Sequence, residues 1–407
     1  MNIDLDLFES LGAKIINRDL FIQPTSICYN IVTSKPNGLY IDFGNSVKYI
    51  DDSIHLGIIC FIGRSSIIYN ITQIIADNID DIVNQYVILM RNKYNGKVIT
   101  VCGTSGKSTT KYLLSQLLPN NLVTNRSCNF FNIIKYYFLI LKHKYFICEL
   151  ACNDEFLLKA CELLLPDYTI ITNINYEHMS ETNSIENIFA LEKAIIPYSK
   201  NIICPSYVYI GPNSYNEYDI KIYNDTNKVI GNIYGDEYSV YNMNRSISYN
   251  IHFIFILCYL LKIECNNRYL NPLCFRGNII KLYNYTIYDY SFNGIPHSVF
   301  TNINSIEIEC ILIFGNMEDL GTLSNVFYQK FINIINNNKN IQKVFFTTND
   351  FDIYIDNIKF FKYNNIHQIP YGNIMVQSSK KQQIWNIVFN LIHYDLNYQT
   401  TVNIGLY

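Results

Sequence analysis

The sequence predicts an α/β protein of three domains, and three observations carry that expectation. Its 407 residues exceed what one compact core accommodates. From residue 97 onward, short β-branched or aromatic runs alternate with helical patterns, as parallel sheets require. A glycine-rich turn joins one of those strands to a helix near residue 103.

Residues 1–95 mix short apolar strands with turn residues such as Pro36-Asn37-Gly38 and Gly44-Asn45. Residues 96–277 hold the clearest strands: Lys97–Cys102, Tyr145–Leu150 and Tyr168–Asn173, each followed by a polar turn. Residues 278–407 repeat the theme, with strands expected at Ile308–Phe314, Val344–Thr348 and Ile374–Gln377. A substrate domain, a central phosphate-loop domain and a C-terminal Rossmann-like domain are the expected assignments.

Composition narrows the function classes. Hydrophobic residues make up 49% and charged residues 16%, which marks a globular chain. Net charge is −3 with no long basic stripe, so nucleic acid is not expected as a partner. The 12 cysteines are scattered without a CxxC pair, and their spacing signals neither a zinc site nor a disulfide framework. Buried free thiols in a reducing compartment are expected instead. The start, Met1-Asn2-Ile3-Asp4-Leu5-Asp6, is acidic and unlike a secretory signal. Phe253–Leu261 is too short to span a bilayer and reads as a core helix. A cytoplasmic monomer with no membrane partner is the resulting expectation.

The most specific signal is the loop. Lys97–Cys102 runs into Gly103-Thr104-Ser105-Gly106-Lys107-Ser108-Thr109-Thr110, and a helix follows as far as Pro119. Glycines let backbone N–H groups turn toward an anion, and the helix N-terminus adds partial positive charge. Lys107 is placed to reach the terminal phosphates of ATP, and the Ser108 hydroxyl to ligate Mg²⁺. The general form GxxxxGK(S/T) is shortened, because Val101 stands at its first glycine position.

That shortened loop, Gly103 to Thr109, resembles the Mur ligase family, which adds amino acids or peptides to a cell-wall precursor with ATP. Further segments follow in the family's order. Glu149 ends a strand as the family's glutamate does. Asn173-Ile174-Asn175-Tyr176-Glu177-His178 is similar to its Asn…His segment, and Lys193 to the lysine it often carries as a carbamate. Glu192 fits the spacing from His178 as well, and either residue supplies an anionic oxygen.

Two C-terminal segments point to the branch that joins D-alanyl-D-alanine to UDP-N-acetylmuramoyl-tripeptide. Asp289-Tyr290-Ser291-Phe292-Asn293-Gly294-Ile295-Pro296-His297-Ser298 resembles its DDSYNANPxS, and Gly315-Asn316-Met317-Glu318-Asp319-Leu320-Gly321 its GDMxELG. The resemblance spans residues 97–385 and implies a three-domain Mur ligase-like α/β architecture. It also implies an amide-forming ligase that activates a carboxylate as an acyl phosphate, with ATP and Mg²⁺.

The roles it implies fall on named residues. Lys107, Glu149, His178 and Lys193 are the catalytic candidates, and Ser108, Glu149, His178 and Lys193 the metal ligands. ATP contacts fall on Gly103, Thr104, Ser105, Gly106, Lys107, Ser108, Thr109, Asn250, Arg276 and Asp289. Contacts to the nucleotide-linked peptide and the incoming amine fall on Asn129, Ser291, Asn293, Met317 and Glu318. Mg²⁺ prefers oxygen donors, so only the resemblance places His178 among its ligands.

The departures cluster on substrate-contacting parts. Thr124–Phe130 keeps only Thr124 and Asn129 of a GNxNN-type loop, Ile295 replaces an asparagine, and Gln377-Ser378-Ser379-Lys380 stands for a KGSR-like segment. Pro36–Tyr40 faintly resembles PGDLF, and Asn30-Ile31-Val32 stands where the family has DSR. A related ligase joining another acid and amine, or a nucleotide-binding protein without ligase chemistry, are the alternative readings.

Overall fold

A computed structural model describes residues 3–29, 34–44, 49–125, 127–152, 156–176, 184–225, 228–241, 245–273, 276–282, 285–292, 294–317, 320–346, 360–362, 372–378, 385 and 388. They form four sheets. The first holds β1 (Lys14–Ile16), β2 (Ser26–Cys28), β3 (Gly38–Ile41), β4 (Ile58–Gly63) and β5 (Thr72–Ile75) in the order β1-β5-β4-β3-β2. Only β1 runs antiparallel to its neighbour. Helices α1 (Leu5–Ser10), α2 (Ile50–His55) and α3 (Ile79–Lys93) accompany it.

The second sheet is wholly parallel: β6 (Lys97–Cys102), β7 (Asn121–Val123), β8 (Tyr145–Glu149), β9 (Tyr168–Ile171), β10 (Asn201–Ile203) and β11 (Ser214–Tyr215), ordered β11-β10-β9-β6-β8-β7. Its strands are nearly continuous apolar runs, because helices α4 (Lys107–Leu117), α5 (Phe130–Tyr137), α6 (Leu157–Leu164) and α7 (Ile185–Lys193) leave them no wet face. The sequence expectation for β6, β8 and β9 holds within two residues. Strand order turns around beside β6, where open parallel sheets place ligands at the strands' carboxyl ends.

Helix α3 joins the first two sheets. Tyr86 stacks on Phe8 at 4.1 Å and on Phe138 at 5.0 Å, so one core runs through both. Buried Arg91 donates to the Leu164 and Leu165 carbonyls and pairs with Asp167 at 3.1 Å.

The third sheet differs from the parallel pattern expected through residue 277. Strands β12 (Lys221–Asp225), β13 (Lys228–Ile233) and β14 (Asp236–Tyr241) form an antiparallel meander, edged by β15 (Arg268–Tyr269) in parallel. Tyr234 and Gly235 both take positive φ, 50° and 104°, which is the two-residue turn that matches strand twist in a tight hairpin. Helix α8 (Arg245–Leu261) packs on this meander with Phe253, Phe255 and Leu257 buried. It is a core helix, as its apolar run implies, and no helix among the described residues is long and apolar enough to cross a membrane.

The fourth sheet is ordered β16-β17-β21-β18-β19-β20. The hairpin of β16 (Asn278–Leu282) and β17 (Tyr285–Tyr290) is antiparallel. β18 (Cys310–Phe314), β19 (Ile341–Phe346), β20 (Phe360–Lys362) and β21 (Gly372–Gln377) are parallel. Helices α9 (Pro296–Asn304) and α10 (Ser324–Asn337) cover it. Phe327 of α10 meets Tyr176, five residues beyond β9, edge-on at 5.5 Å, so this sheet's helices touch the segment that leaves the central sheet.

Candidate functional site

The loop that leaves β6 is clamped from both sides. Gly103 has φ +112° and Gly106 φ +82°, conformations that L side chains rarely adopt. A Cβ on Gly103 would lie 2.4 Å from Thr172 Oγ1, and one on Gly106 2.5 Å from Asn250 Nδ2. Thr104 Oγ1 and Ser105 Oγ donate to Asn173 Oδ1 at 2.8 and 3.1 Å, and Asn173 Nδ2 donates to the Ser105 carbonyl at 3.0 Å. The Asn175 N–H donates to Thr104 Oγ1 at 3.0 Å. Thr104 and Ser105 therefore spend their side chains on holding the loop's shape and face a ligand with backbone.

Helix α4 starts at Lys107 with Gly106 as its cap and no side chain accepting from its first turn. The initial N–H groups of a helix have no partner within it, so this end is built to meet an anion. Lys107 Nζ lies 3.3 Å from the Thr104 carbonyl, folded over the loop. Asn250, from α8, donates to the Gly106 carbonyl at 3.2 Å. It sits against the loop's underside.

At the second residue of the helix, Ser108 Oγ donates to Glu149 Oε1 at 2.9 Å, and Ser127 Oγ to the same oxygen at 2.8 Å. Lys111 Nζ pairs with Glu149 Oε2 at 2.8 Å, with both side chains buried. Burial alone pushes the Glu149 carboxyl up. The charge of Lys111, with hydrogen bonds from Lys111, Ser127 and Ser108, outweighs it and holds the group below its ordinary range. The result is an ionised carboxylate beside a hydroxyl at the mouth of the loop, a hard oxygen pair that fits Mg²⁺. Lys111 and Ser127 were not singled out in the sequence. Lys111 lies four residues after Lys107, one turn along the same face, and that spacing is the signal that would have found it.

Helix α7 settles which of its last residues faces the loop. Glu192 is buried, and its Oε2 accepts from the Gly103 N–H at 2.6 Å. Lys193, half-buried one residue on, lies instead near Cys204. The structure thus brings Ser108 and Glu149 together and turns Glu192 toward the loop. His178 lies outside the described residues.

Farther along, Asp289, the last residue but one of β17, is fully buried, and its Oδ1 accepts from the Ser291 N–H at 3.0 Å. Burial raises its pKa to about 6, partly offset by bonds from Ser291 and Trp385. Ser291 is buried and accepts from Trp385 Nε1 at 2.9 Å. The Arg276 guanidinium lies 4.3 Å from the Phe292 ring centre, where cation and ring attract. Met317 is buried, and its N–H donates to the Tyr328 hydroxyl at 3.3 Å. Asn129 caps α5 by accepting from the Asn132 N–H at 3.0 Å. Asn293 and Glu318 lie outside the described residues.

A parallel sheet with a phosphate-type loop at its switch point, flanked by two further α/β units, defines a P-loop protein of ligase-like architecture. Residues 101–246 match the Mur ligase middle domain. The chain is 26% identical over 220 residues to a UDP-N-acetylmuramoyl-tripeptide–D-alanyl-D-alanine ligase of Rickettsia prowazekii, covering 51% of this chain and 48% of that protein. It is 24% identical over 229 residues to a UDP-N-acetylmuramoyl-L-alanyl-D-glutamate–2,6-diaminopimelate ligase of Fusobacterium nucleatum, covering 49% and 46%. The chain thus spans about half the length of the curated relatives it matches. MurF of Acinetobacter baumannii superposes with a TM-score of 0.74 at 15% identity, over 96% of this chain and 98% of that one. The MurF ligase of Thermotoga maritima in complex with ADP gives 0.72 at 16%, over 90% and 96%. The resemblance to the Mur ligases therefore rests on residues 101–246, which match their middle domain, and on a fold shared with MurF structures.

Proposed function

We propose that the chain is an ATP-dependent ligase that forms an amide bond through an acyl phosphate. Its expected reaction adds D-alanyl-D-alanine to UDP-N-acetylmuramoyl-tripeptide. The observation that carries the reading is the Ser108–Glu149 pair at the start of α4, beside Lys107 and the glycine loop. A carboxylate meets a triphosphate only when cations lie between the two anions, and phosphoryl transfer is mainly a matter of position and charge.

In this reading the N–H groups of the loop and of the first turn of α4 hold the phosphates of ATP, and Lys107 turns outward to the transferred group. Ser108 and Glu149, with His178, would hold Mg²⁺, which would neutralise phosphate charge when bound. Glu192 supports the loop at Gly103. The substrate carboxylate attacks the terminal phosphorus of ATP, giving acyl phosphate and ADP. The amine then attacks the acyl carbon, phosphate leaves with the bonding electrons, and the amide remains. Residues 1–95, 96–277 and 278–407 serve as precursor-binding, ATP-binding and amine-holding domains of a cytoplasmic monomer. Arg276 and Asp289 approach the nucleotide, as does Asn250 beneath the loop. Asn129, Ser291, Asn293, Met317 and Glu318 shape the acid and amine sites.

Release of ADP and phosphate, measured with the muramoyl tripeptide with and without D-alanyl-D-alanine, tests the proposal. Release that needs both, with a product heavier by one dipeptide residue, supports it. One observation favours a second reading, a ligase of the same chemistry for another acid and amine. Ile295, in place of the family's asparagine, is buried at the start of α9 and offers no polar contact there. Release with other acid and amine pairs alone favours that second reading.

A further inference from the structure

At the root of the phosphate loop, three side chains from distant parts of the chain converge. Cys102 ends β6, Cys152 follows β8, and Glu192 lies in the last turn of α7. The two Sγ atoms and a carboxylate oxygen all lie within 4.8 Å of one another, and all three residues are buried. Their spacing in sequence, 50 and 40 residues, hides them from any motif search. The fold brings them together because β6 and β8 are adjacent and α7 crosses the strand ends.

We propose that Cys102, Cys152 and Glu192 form a binding site for a thiophilic divalent cation of the Zn²⁺ class at the root of the phosphate loop. The donor set selects that class. Two sulfurs with one carboxylate oxygen suit a borderline-soft ion, whereas Mg²⁺ takes oxygen alone. Tetrahedral ligation with metal–sulfur bonds of about 2.3 Å sets donors roughly 3.5–3.8 Å apart, and the observed cluster lies within a small contraction of that.

Charge favours the same occupant. Glu149, beside Ser108, is neutralised by Lys111 at 2.8 Å. Glu192 is as deeply buried, and among the described residues it forms no ion pair; its carboxylate accepts from the Gly103 N–H. A buried carboxylate without a cation is costly, and a divalent ion supplies the missing charge. The thiols hold weak contacts, Cys102 Sγ to the Glu192 carbonyl at 3.8 Å and Cys152 Sγ to the Leu150 carbonyl at 3.9 Å. Loading exchanges two S–H bonds for two metal–sulfur bonds and releases two protons, with no change of oxidation state. The ion ties three elements of the central sheet together at the residue before Gly103, and it acts on the loop through Glu192. This inference does not rest on the ligase reading, since metal binding is read directly.

The experiment titrates the full-length protein with Cd²⁺, a spectroscopic stand-in for Zn²⁺. One ion per chain is expected to produce a thiolate-to-metal ultraviolet band and to release two protons in weakly buffered solution. Cys102→Ser with Cys152→Ser removes the band, and Glu192→Gln keeps it with affinity at least about tenfold lower. Pulsed alkylation of the wild-type protein supplies a readout that needs no variant: one equivalent of Cd²⁺ protects Cys102 and Cys152 above all other cysteines. A band that survives in the double serine variant overturns the proposal. So does protection falling elsewhere, or a Cys102–Cys152 disulfide in freshly purified protein.

Discussion

Replacing Lys111 by methionine removes the ammonium that compensates Glu149 while leaving most of the side chain's volume. The pair is 2.8 Å long, with side chains only 7% and 4% exposed, and breaking a buried pair from one side costs roughly 3–5 kcal/mol. The hydroxyls of Ser108 and Ser127 stay on the carboxylate, so the lower end, about 3 kcal/mol, is expected. That corresponds to a loss of roughly 6–12 °C in the melting transition of the central sheet. Its pH dependence distinguishes this cause from simple loss of packing. In the wild-type protein the Glu149 carboxyl lies below its ordinary range. Its contribution is therefore present above the unfolded pKa of about 4.3 and lost as pH falls through the folded value. In the variant, burial acts without the opposing ammonium, so protonation relieves the strain. The deficit should be largest near neutral pH and shrink toward about pH 5. Adding Glu149→Gln to the variant should recover much of the loss, because no buried charge remains. Melting followed by circular dichroism at both pH values decides it. An equal deficit at both, or one below about 1 kcal/mol, refutes the reasoning.

Lys107→Ala should lower ATP-dependent turnover by at least about 10²-fold with an unchanged circular-dichroism spectrum; undiminished turnover removes the mechanism. Gly106→Ala meets Asn250 Nδ2 at 2.5 Å with φ held at +82°, and should cost roughly 1–2 kcal/mol or more in denaturant unfolding. Asp289 has its folded pKa raised to about 6, so its contribution is present below the unfolded pKa and is lost as pH rises through the folded value. Asp289→Asn keeps an acceptor for the Ser291 N–H. It should flatten the stability profile between about pH 4 and 6 and gain roughly 2–3 kcal/mol near neutrality.

The central sheet was legible in sequence because its strands are buried on both faces and therefore read as unbroken apolar runs ending in turns, as at Lys97–Cys102 and Tyr145–Glu149. The meander of β12 to β14 was not legible, since its turn rests on Tyr234-Gly235 rather than on a common turn pair. The glycine loop and Ser108 beside Glu149 follow from local spacing and strand ends. The choice between Glu192 and Lys193 does not, because one residue rotates a helix by about 100°. Ile188 and Glu192 share the buried face of α7 at a spacing of four residues, and that apolar partner was the overlooked clue. The spacing from Lys107 marks Lys111 locally, but the meeting of Cys102 with Cys152 and Glu192 depends on strand order, and no local pattern reveals it.

The most direct test of the acyl phosphate follows oxygen. A muramoyl tripeptide labelled with heavy oxygen in its reacting carboxylate is incubated with ATP, Mg²⁺, D-alanyl-D-alanine and the protein, and the released phosphate is weighed by mass spectrometry. Activation by phosphoryl transfer predicts one labelled oxygen in each phosphate released. Unlabelled phosphate accompanying amide formation, or tightly bound ATP with no phosphate released at all, would contradict it.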